Sequence, residues 1–286
     1  MKSKLTERSA KPLLIFVVAA RGTSFCFSKL CLQTLSPFML LGIRFTLAFL
    51  LLCLIFHKSL TETLCMSDIK KGMLFGSIYF LVMVCEYTGL RTSNSSTASF
   101  IENMAIVIVP IVPLLNISIT HRFPSLKDII RAILACIGVG LLTLTQNGFS
   151  ISTGELILIC AAFFYAAAIL VTNKLSKIGN SLNMGIFQVG TIGILGFLTS
   201  IVGGTVALPS TPEIYAYIVI LAVVCTGFGY TLQPVAQSKL SAETTSVCCA
   251  INPLVASLIG MLFLHEIPSF VNIIGEILII IVLLIP

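Results

Sequence analysis

Charged residues are scarce in this sequence of 286 residues, and tryptophan is absent. Asp, Glu, Lys and Arg make up 10% of the chain, whereas 57% of it is hydrophobic and the mean hydropathy is +1.08. A water-soluble domain of this length could not cover its surface with so few charges, since such domains are about 25% charged. The composition therefore excludes a soluble protein and indicates an integral membrane protein.

Several chemical motifs are also missing. The chain has no GxxxxGK[ST] sequence, which excludes ATP coupling within it, and no DxxD, HExxH or CxxC pattern that would indicate a metal-dependent enzyme or a redox pair. Most of the ten cysteines fall inside apolar stretches, where we interpret them as packing residues. We expect no cofactor and no metal. Without tryptophan, cation–π recognition falls to four tyrosines: Tyr79, Tyr87, Tyr165 and Tyr230.

What the chain does have is a series of ten apolar runs, each of about 20 residues, which is the length that crosses a bilayer as an α-helix. They are continuous and about twice too long for the strands of a membrane β-barrel. The sequence therefore predicts an all-α integral membrane protein with ten transmembrane helices, near residues 12–32, 37–56, 69–89, 95–118, 127–146, 154–174, 182–204, 213–235, 243–263 and 269–285.

The positive charges predict the orientation. If residues 1–11 form a cytoplasmic N-terminus, 13 of the 17 Lys and Arg residues lie on the cytoplasmic side and Arg91 alone on the other. This satisfies the positive-inside rule. We therefore expect a multi-pass protein of the cytoplasmic (inner) membrane with both termini in the cytoplasm. The net charge of +6 favours contact with anionic lipid, and a nucleic-acid partner is not expected because no continuous basic face exists.

An internal repeat divides the chain into halves. The stretches HRFPSLKDIIRAIL (121–134) and HEIPSFVNIIGEIL (265–278) are identical at seven of fourteen positions and lie 144 residues apart. Five spans separate them, an odd number, so the second copy should be inverted in the membrane. The sequence predicts one repeat at 12–146 and an inverted one at 154–286. Such repeats are typical of transporters that alternate between two open states.

Polar residues recur at helical spacing within the apolar runs. Ser95, Ser99 and Glu102 share one face, and other spans carry similar stripes: Arg21, Ser24 and Ser28; Tyr79 and Glu86; Thr226, Tyr230, Gln233 and Gln237. Exposing them to lipid would be costly, so they should face a shared interior. Two alternatives stay open. The stripes could only join helices, and the two acids could only neutralise Arg21, Lys29 or Arg44. Arg44 could also snorkel. Glu266 is interpreted as a residue of a loop or helix start, where solvation or the helix dipole suffices to stabilise its charge.

Three stretches carry a resemblance to a known family: AARGTSFCFSKLCLQTLSPFMLLGIRFTLAFLLL, EYTGLRTSNSSTASFIENMAIVIVPIVPLL and YTLQPVAQSKLSAETTSVCCAINPLVASLIGMLFLHE. They resemble the EamA-type members of the drug/metabolite transporter superfamily. The resemblance implies two inverted repeats of five helices, a central cavity, and export or exchange of small metabolites. The chain departs from the family pattern at four positions: Arg21 replaces an aromatic residue, Glu86 a glutamine, Glu102 an apolar or small residue, and Asn252 the glutamate before a proline.

The sequence thus favours a secondary transporter that moves a small polar or amphipathic metabolite, amino-acid-like or drug-like. An intramembrane lipid-modifying enzyme or a non-transporting scaffold is the alternative. A proton or counter-substrate is a further expected partner, and the chain could act as a monomer or homodimer. The candidate residues for substrate binding or coupling are Glu86, Glu102, Ser99, Tyr79, Arg21, Ser24, Tyr165, Tyr230, Gln233 and Asn252.

Overall fold

The computed structural model describes residues 6–109, 152–249 and 251–284, together with single positions between 130 and 149. In these ranges the chain forms a bundle of helices. Their bounds are α1 Glu7–Gly22, α2 Ser24–Cys31, α3 Pro37–Ile55, α4 His57–Thr63, α5 Met66–Leu90, α6 Ser95–Glu102, α7 Thr153–Leu175, α8 Ser181–Val202, α9 Pro212–Ile220, a π-helix Leu221–Tyr230, α10 Thr231–Gln237, α11 Ala242–Cys249, α12 Ile251–Leu264 and α13 Phe270–Leu284.

Seven stretches of helix are long and apolar enough to cross a membrane, and each overlaps a predicted span: Glu7–Cys31, Pro37–Ile55, Met66–Leu90, Thr153–Leu175, Ser181–Val202, Pro212–Gln237 and Thr244–Leu264. The shorter helical stretches Ser95–Val109 and Phe270–Leu284 overlap the fourth and tenth predicted spans. The fifth prediction, 127–146, lies largely outside the described residues. The multi-pass helical membrane fold is therefore confirmed, whereas the count of ten remains a prediction.

Local details differ from the prediction. The first helix begins at Glu7, five residues before the predicted start, because a capping box at Thr6 and Ser9 starts it there. Leu144–Thr145 pair with Gly148–Phe149 as a two-residue antiparallel ladder near the end of the fifth predicted span. The regular elements of the described residues are otherwise helices, in agreement with the all-α prediction.

Three spans are broken near the middle of the bundle. Thr23 separates α1 from α2, and its hydroxyl donates to the Ala20 carbonyl at 2.8 Å, which draws the chain away from regular helical bonding. The fourth span, predicted as one helix over 95–118, is interrupted at Asn103, whose side-chain amide donates to the Ser99 carbonyl at 2.8 Å. The eighth span contains the π-helix. Such breaks place irregular backbone inside the bundle, where protein can satisfy it.

Glycines bring the helices into close contact. A Cβ atom on Gly196 of α8 would stand 2.5 Å from the backbone nitrogen of Gly42 in α3, and one on Gly185 would stand 2.4 Å from the Thr231 carbonyl oxygen. Real side chains cannot approach so closely. Gly185 and Gly196 of α8 are therefore packing sites, since small residues let membrane helices approach each other.

The outside of the bundle is apolar, and its interior combines a hydrophobic core with buried polar and charged side chains. Leu54 is 72% exposed and Val202 is 88% exposed, whereas the charged Arg44 and Glu102 are 0% exposed. This distribution matches a lipid environment, in which charged side chains face the interior of the bundle. All nine cysteines that lie in the described ranges are free thiols, and four of them are buried as packing residues would be.

Candidate substrate and coupling site

Arg21 lies at the centre of the polar interior, in the last turn of α1. The helix break at Thr23 follows it directly, and the Thr23 hydroxyl lies 3.2 Å from the Cys225 sulfur of the π-helix. Two interrupted helices therefore cross beside the guanidinium. Only glycine fits at the crossing point, since a Cβ on Gly229 would stand 2.7 Å from the Cγ of Arg21.

The guanidinium of Arg21 is held by neutral oxygens. Its Nη1 donates to the Tyr165 hydroxyl at 3.2 Å and to Oε1 of Gln233, and its Nη2 donates to the Tyr230 hydroxyl at 3.0 Å. Gln233 in turn donates from Nε2 to the Tyr79 hydroxyl at 2.9 Å. We call these five residues the arginine cage. They come from the first, third, sixth and eighth spans, so both halves of the chain contribute.

The tyrosine rings of the cage also face the cation. The Arg21 Cζ atom lies 4.1 Å from the ring centroid of Tyr230, 5.3 Å from that of Tyr165 and 5.9 Å from that of Tyr79. All three distances fall within the range of cation–π attraction. Three of the four tyrosines that the sequence offered for this role therefore surround one cation.

The π-helix sets the positions of Tyr230 and Gln233. Pro234 in α10 has no N–H, so the Tyr230 carbonyl four residues earlier cannot receive the usual helical bond. The wider turn of the π-helix ends at Tyr230. Such turns are frequent at functional sites, because they redirect side chains without ending the helix.

A second buried arginine, Arg44, occupies the neighbouring position. Its Nε donates to the Thr226 hydroxyl at 2.6 Å, and its Nη1 donates to Ser28 at 3.4 Å and to the Tyr87 hydroxyl. Arg44 is fully buried, so the interpretation that it snorkels was wrong. Its fixed position inside the bundle is the main feature that sequence reasoning missed.

Glu86 and Glu102 are both buried and lie close enough to act on each other electrostatically. We call these two residues the acid pair. Both oxygens of Glu102 and one of Glu86 lack a hydrogen-bond partner among the described residues.

No direct salt bridge neutralises these acids within the described ranges. The two ion pairs found there within 4.0 Å join Lys11 to Glu7 and Lys29 to Glu266. Lys29 is therefore engaged elsewhere, and Glu266 is an ion-pair partner, which corrects the interpretation that solvation or the helix dipole suffices for its charge. Arg21 and Arg44 influence the acids through the field of nearby charge rather than by contact.

The remaining candidates are Ser24, Ser99 and Asn252. Ser24 begins α2 and is buried, as is Ser99 in α6, whose hydroxyl has no partner among the described residues. Asn252 packs against α1, because a Cβ on Gly22 would stand 2.8 Å from its carbonyl oxygen and 3.2 Å from its Oδ1. All ten candidates are buried, but Ser24, Ser99 and Asn252 do not belong to the arginine cage.

Two sulfur atoms extend the cage. The Tyr165 hydroxyl lies 3.4 Å from the Cys249 sulfur, and the Tyr230 hydroxyl donates to the Met83 sulfur at 3.3 Å. In the sequence both residues look like ordinary packing residues, so no signal there would have found them. The described side chains contain no group of three or more His, Cys, Asp or Glu that could hold a metal ion.

Known proteins resemble this chain in sequence and in fold. The model of the EamA-like transporter family matches residues 9–144 and 152–285. Two curated relatives, each named an uncharacterized transporter of Archaeoglobus fulgidus, are 26% identical over 272 residues (95% of this chain, 83% of the relative) and 27% identical over 276 residues (93% of each). A solved crystal structure covers 96% of this chain and 95% of its own at a TM-score of 0.69 and 12% identity, which shows a shared fold. The chain belongs to the EamA-like transporter family, a part of the drug/metabolite transporter superfamily.

Proposed function

We propose that the protein is a secondary transporter whose substrate binds at the arginine cage and crosses the cytoplasmic membrane by alternating access. The substrate is a small polar or amphipathic metabolite, and the direction is export or exchange. Both termini face the cytoplasm. The proposal concerns transport rather than catalysis, in agreement with family membership.

The observation that carries the proposal is the state of Arg21. It is 3% exposed, and its hydrogen bonds go to two phenols and an amide rather than to a carboxylate. Its Nε has no partner in the described part of the chain. A buried cation held only by neutral dipoles is an unusual structural element. It is well suited to bind an anionic or strongly polar group of a substrate that displaces the amide of Gln233.

A two-fold relation between the halves supports alternating access. Arg21 and Tyr165, which touch, lie 144 residues apart, the spacing of the sequence repeat. Glu86 and Tyr230 are separated by the same interval. Residues related by a pseudo-two-fold axis meet only near that axis, so the cage lies where such an axis would pass. Substrate sites of inverted-repeat transporters lie at this interface. The two matches of the family model, one per half, add support.

The acid pair supplies the coupling in this proposal. Glu86 and Glu102 hold one proton between them, and its release or capture accompanies the change in access of the site. A second negative charge on the pair would act electrostatically on Arg21 and so alter its affinity for an anion. Proton and substrate binding are thereby linked.

The test is a comparison of small molecules inside and outside cells that contain or lack the protein, with an Arg21→Met variant as the matched control. We expect at least one metabolite whose distribution depends on the wild-type protein and not on the variant. Identical metabolite profiles in all three cell types, with the wild-type and variant proteins present at equal levels, would contradict the proposal.

A further inference from the structure

Outside the arginine cage, one charged contact ties three segments together. The Lys29 Nζ atom in α2 lies 2.5 Å from Oε1 of Glu266 and donates to the Ser93 carbonyl at 2.7 Å. The other carboxylate oxygen of Glu266 accepts the Ser95 N–H at 2.8 Å. The contact joins the end of the first span, the turn before α6 and the segment after α12. It therefore connects the two halves of the chain.

A related contact exists elsewhere in the bundle. Asn173, near the end of α7, donates from Nδ2 to the Gln237 carbonyl at 3.3 Å and to the Leu240 carbonyl at 2.8 Å. Asn173 follows Lys29 by 144 residues, and Gln237 follows Ser93 by the same interval. The contact between Lys29 and the Ser93 carbonyl in the first half therefore has an equivalent in the second half, between Asn173 and the Gln237 carbonyl. Lysine is replaced by a neutral amide in the second copy.

The two contacts lie at opposite ends of the bundle. Glu7, at the start of α1, lines the same pocket as Leu240, which accepts from Asn173. Lys29 is 22 residues further along the first span, which corresponds to about 33 Å at 1.5 Å per residue. One contact therefore lies at the end near residue 7, and the other lies at the opposite end.

We propose that the Lys29–Glu266 ion pair is a latch that closes one end of the transport pathway, and that Asn173 is its neutral counterpart at the other end. The inference rests on the proposed transport function. Each latch joins the end of a half's first helix to the turn between its third and fourth, so each must release when its own end opens. Because only one latch is ionic, the two ends differ in how strongly they are held.

The burial of the pair fits this role. The Lys29 side chain is 23% exposed and that of Glu266 is 10% exposed, so the contact is close to solvent yet shielded from it. On opening, water can solvate both charges. An ion pair at such a position is strong in the closed state and can still be broken, because water then solvates both charges. Breaking a fully buried pair would instead leave uncompensated charges inside the protein.

The native thiol Cys26 reports on the opening of this end. It is 0% exposed and lies one helical turn before Lys29 on the same helix. The experiment is alkylation of the otherwise unmodified protein in lipid nanodiscs by a membrane-impermeant maleimide, with the rate at Cys26 read by mass spectrometry. Nanodiscs expose both faces, so the result does not depend on the orientation of the chain.

Lys29→Met, Glu266→Gln and the double variant should each raise the rate of Cys26 labelling about tenfold and to the same extent, because each removes the same ion pair. Asn173→Ala should leave that rate unchanged, since it acts at the other end. The control Glu7→Gln, which removes the exposed Glu7–Lys11 pair, should also have no effect.

Unchanged labelling in the Lys29 and Glu266 variants would overturn the latch. Gly185→Ala disturbs packing at the opposite end. If it raised the rate of Cys26 labelling equally, at the same loss of melting temperature, the latch would also be overturned, because the ion pair would then only stabilise the fold. The measurement uses no substrate. Failure of the transport proposal would instead appear as an absence of uptake, independently of the labelling rates.

Discussion

Replacement of Glu102 by glutamine should distinguish a role of this acid in proton coupling from a role in the stability of the fold. The side chain keeps its size and its place beside Glu86, but it can no longer release a proton. Glu102 is 0% exposed and forms no salt bridge within 4.0 Å among the described residues. The substitution therefore breaks no direct ion pair.

The magnitude follows from these contacts. Both carboxylate oxygens of Glu102 lack a hydrogen-bond partner among the described residues, so the substitution removes no hydrogen bond there. We expect the free energy of unfolding to change by less than about 1 kcal/mol. If the acids served only to neutralise an arginine, the loss would be roughly 3 to 5 kcal/mol, because a buried charge would be left without its partner.

The assay is uptake into proteoliposomes under an imposed pH gradient, measured beside the melting temperature. Glu102→Gln should melt like the wild type but lose the dependence of uptake on the gradient, and Glu86→Gln should show a similar or partial defect. Glu276→Gln is the matched control, since Glu276 is a half-buried acid that faces Ser257 instead of the cage. Wild-type pH dependence in a stable Glu102→Gln protein would refute the coupling argument.

Three further predictions concern packing, hydrogen bonding and topology. Gly229→Ala should cost about 1 to 3 kcal/mol of stability and impair substrate binding, because the added Cβ would stand 2.7 Å from the Cγ of Arg21; chemical denaturation and ligand binding measure the two effects. Tyr79→Phe should cost about 1 kcal/mol in the melting curve, since the glutamine of the cage loses its acceptor. Single cysteines at Ser125 and Ser269 should be labelled from opposite faces of the membrane, from the cytoplasm and from outside respectively.

Each of these has its own control or contrary result. Tyr215→Phe removes a hydroxyl from an exposed ring and should leave the melting temperature unchanged. A Gly229→Ala protein that binds substrate like the wild type would show that Arg21 tolerates displacement. Labelling of both cysteines from one face would contradict the inverted repeat.

The membrane spans could be predicted from the sequence because length and apolarity suffice to define them. The candidate site was predicted in part. Helical spacing identified the stripes that carry Arg21, Tyr230 and Gln233, since lipid excludes polar faces. Helical spacing did not show which side chains of different spans are in contact, because the periodicity within one helix carries no information on how the helices pack.

Two kinds of feature escaped prediction. The breaks at Thr23 and Asn103 depend on single side chains that bond to their own backbone, which hydropathy does not register. Arg44 reads in the sequence like any arginine near a helix start. Lys29 and Glu266 are separated by 237 residues, so local spacing could not indicate that they pair. For the cage, the one sequence signal that could have indicated a contact was the 144-residue interval between Arg21 and Tyr165.

The most direct test of the account is uptake by proteoliposomes from the small-molecule extract of cells in which the protein occurs. Wild-type vesicles, Arg21→Met vesicles and protein-free vesicles would be compared by mass spectrometry of their contents. The account predicts that at least one compound accumulates in wild-type vesicles alone, with the Arg21→Met protein folded and correctly inserted. Equal accumulation of every compound in wild-type and Arg21→Met vesicles would contradict a substrate site at the arginine cage.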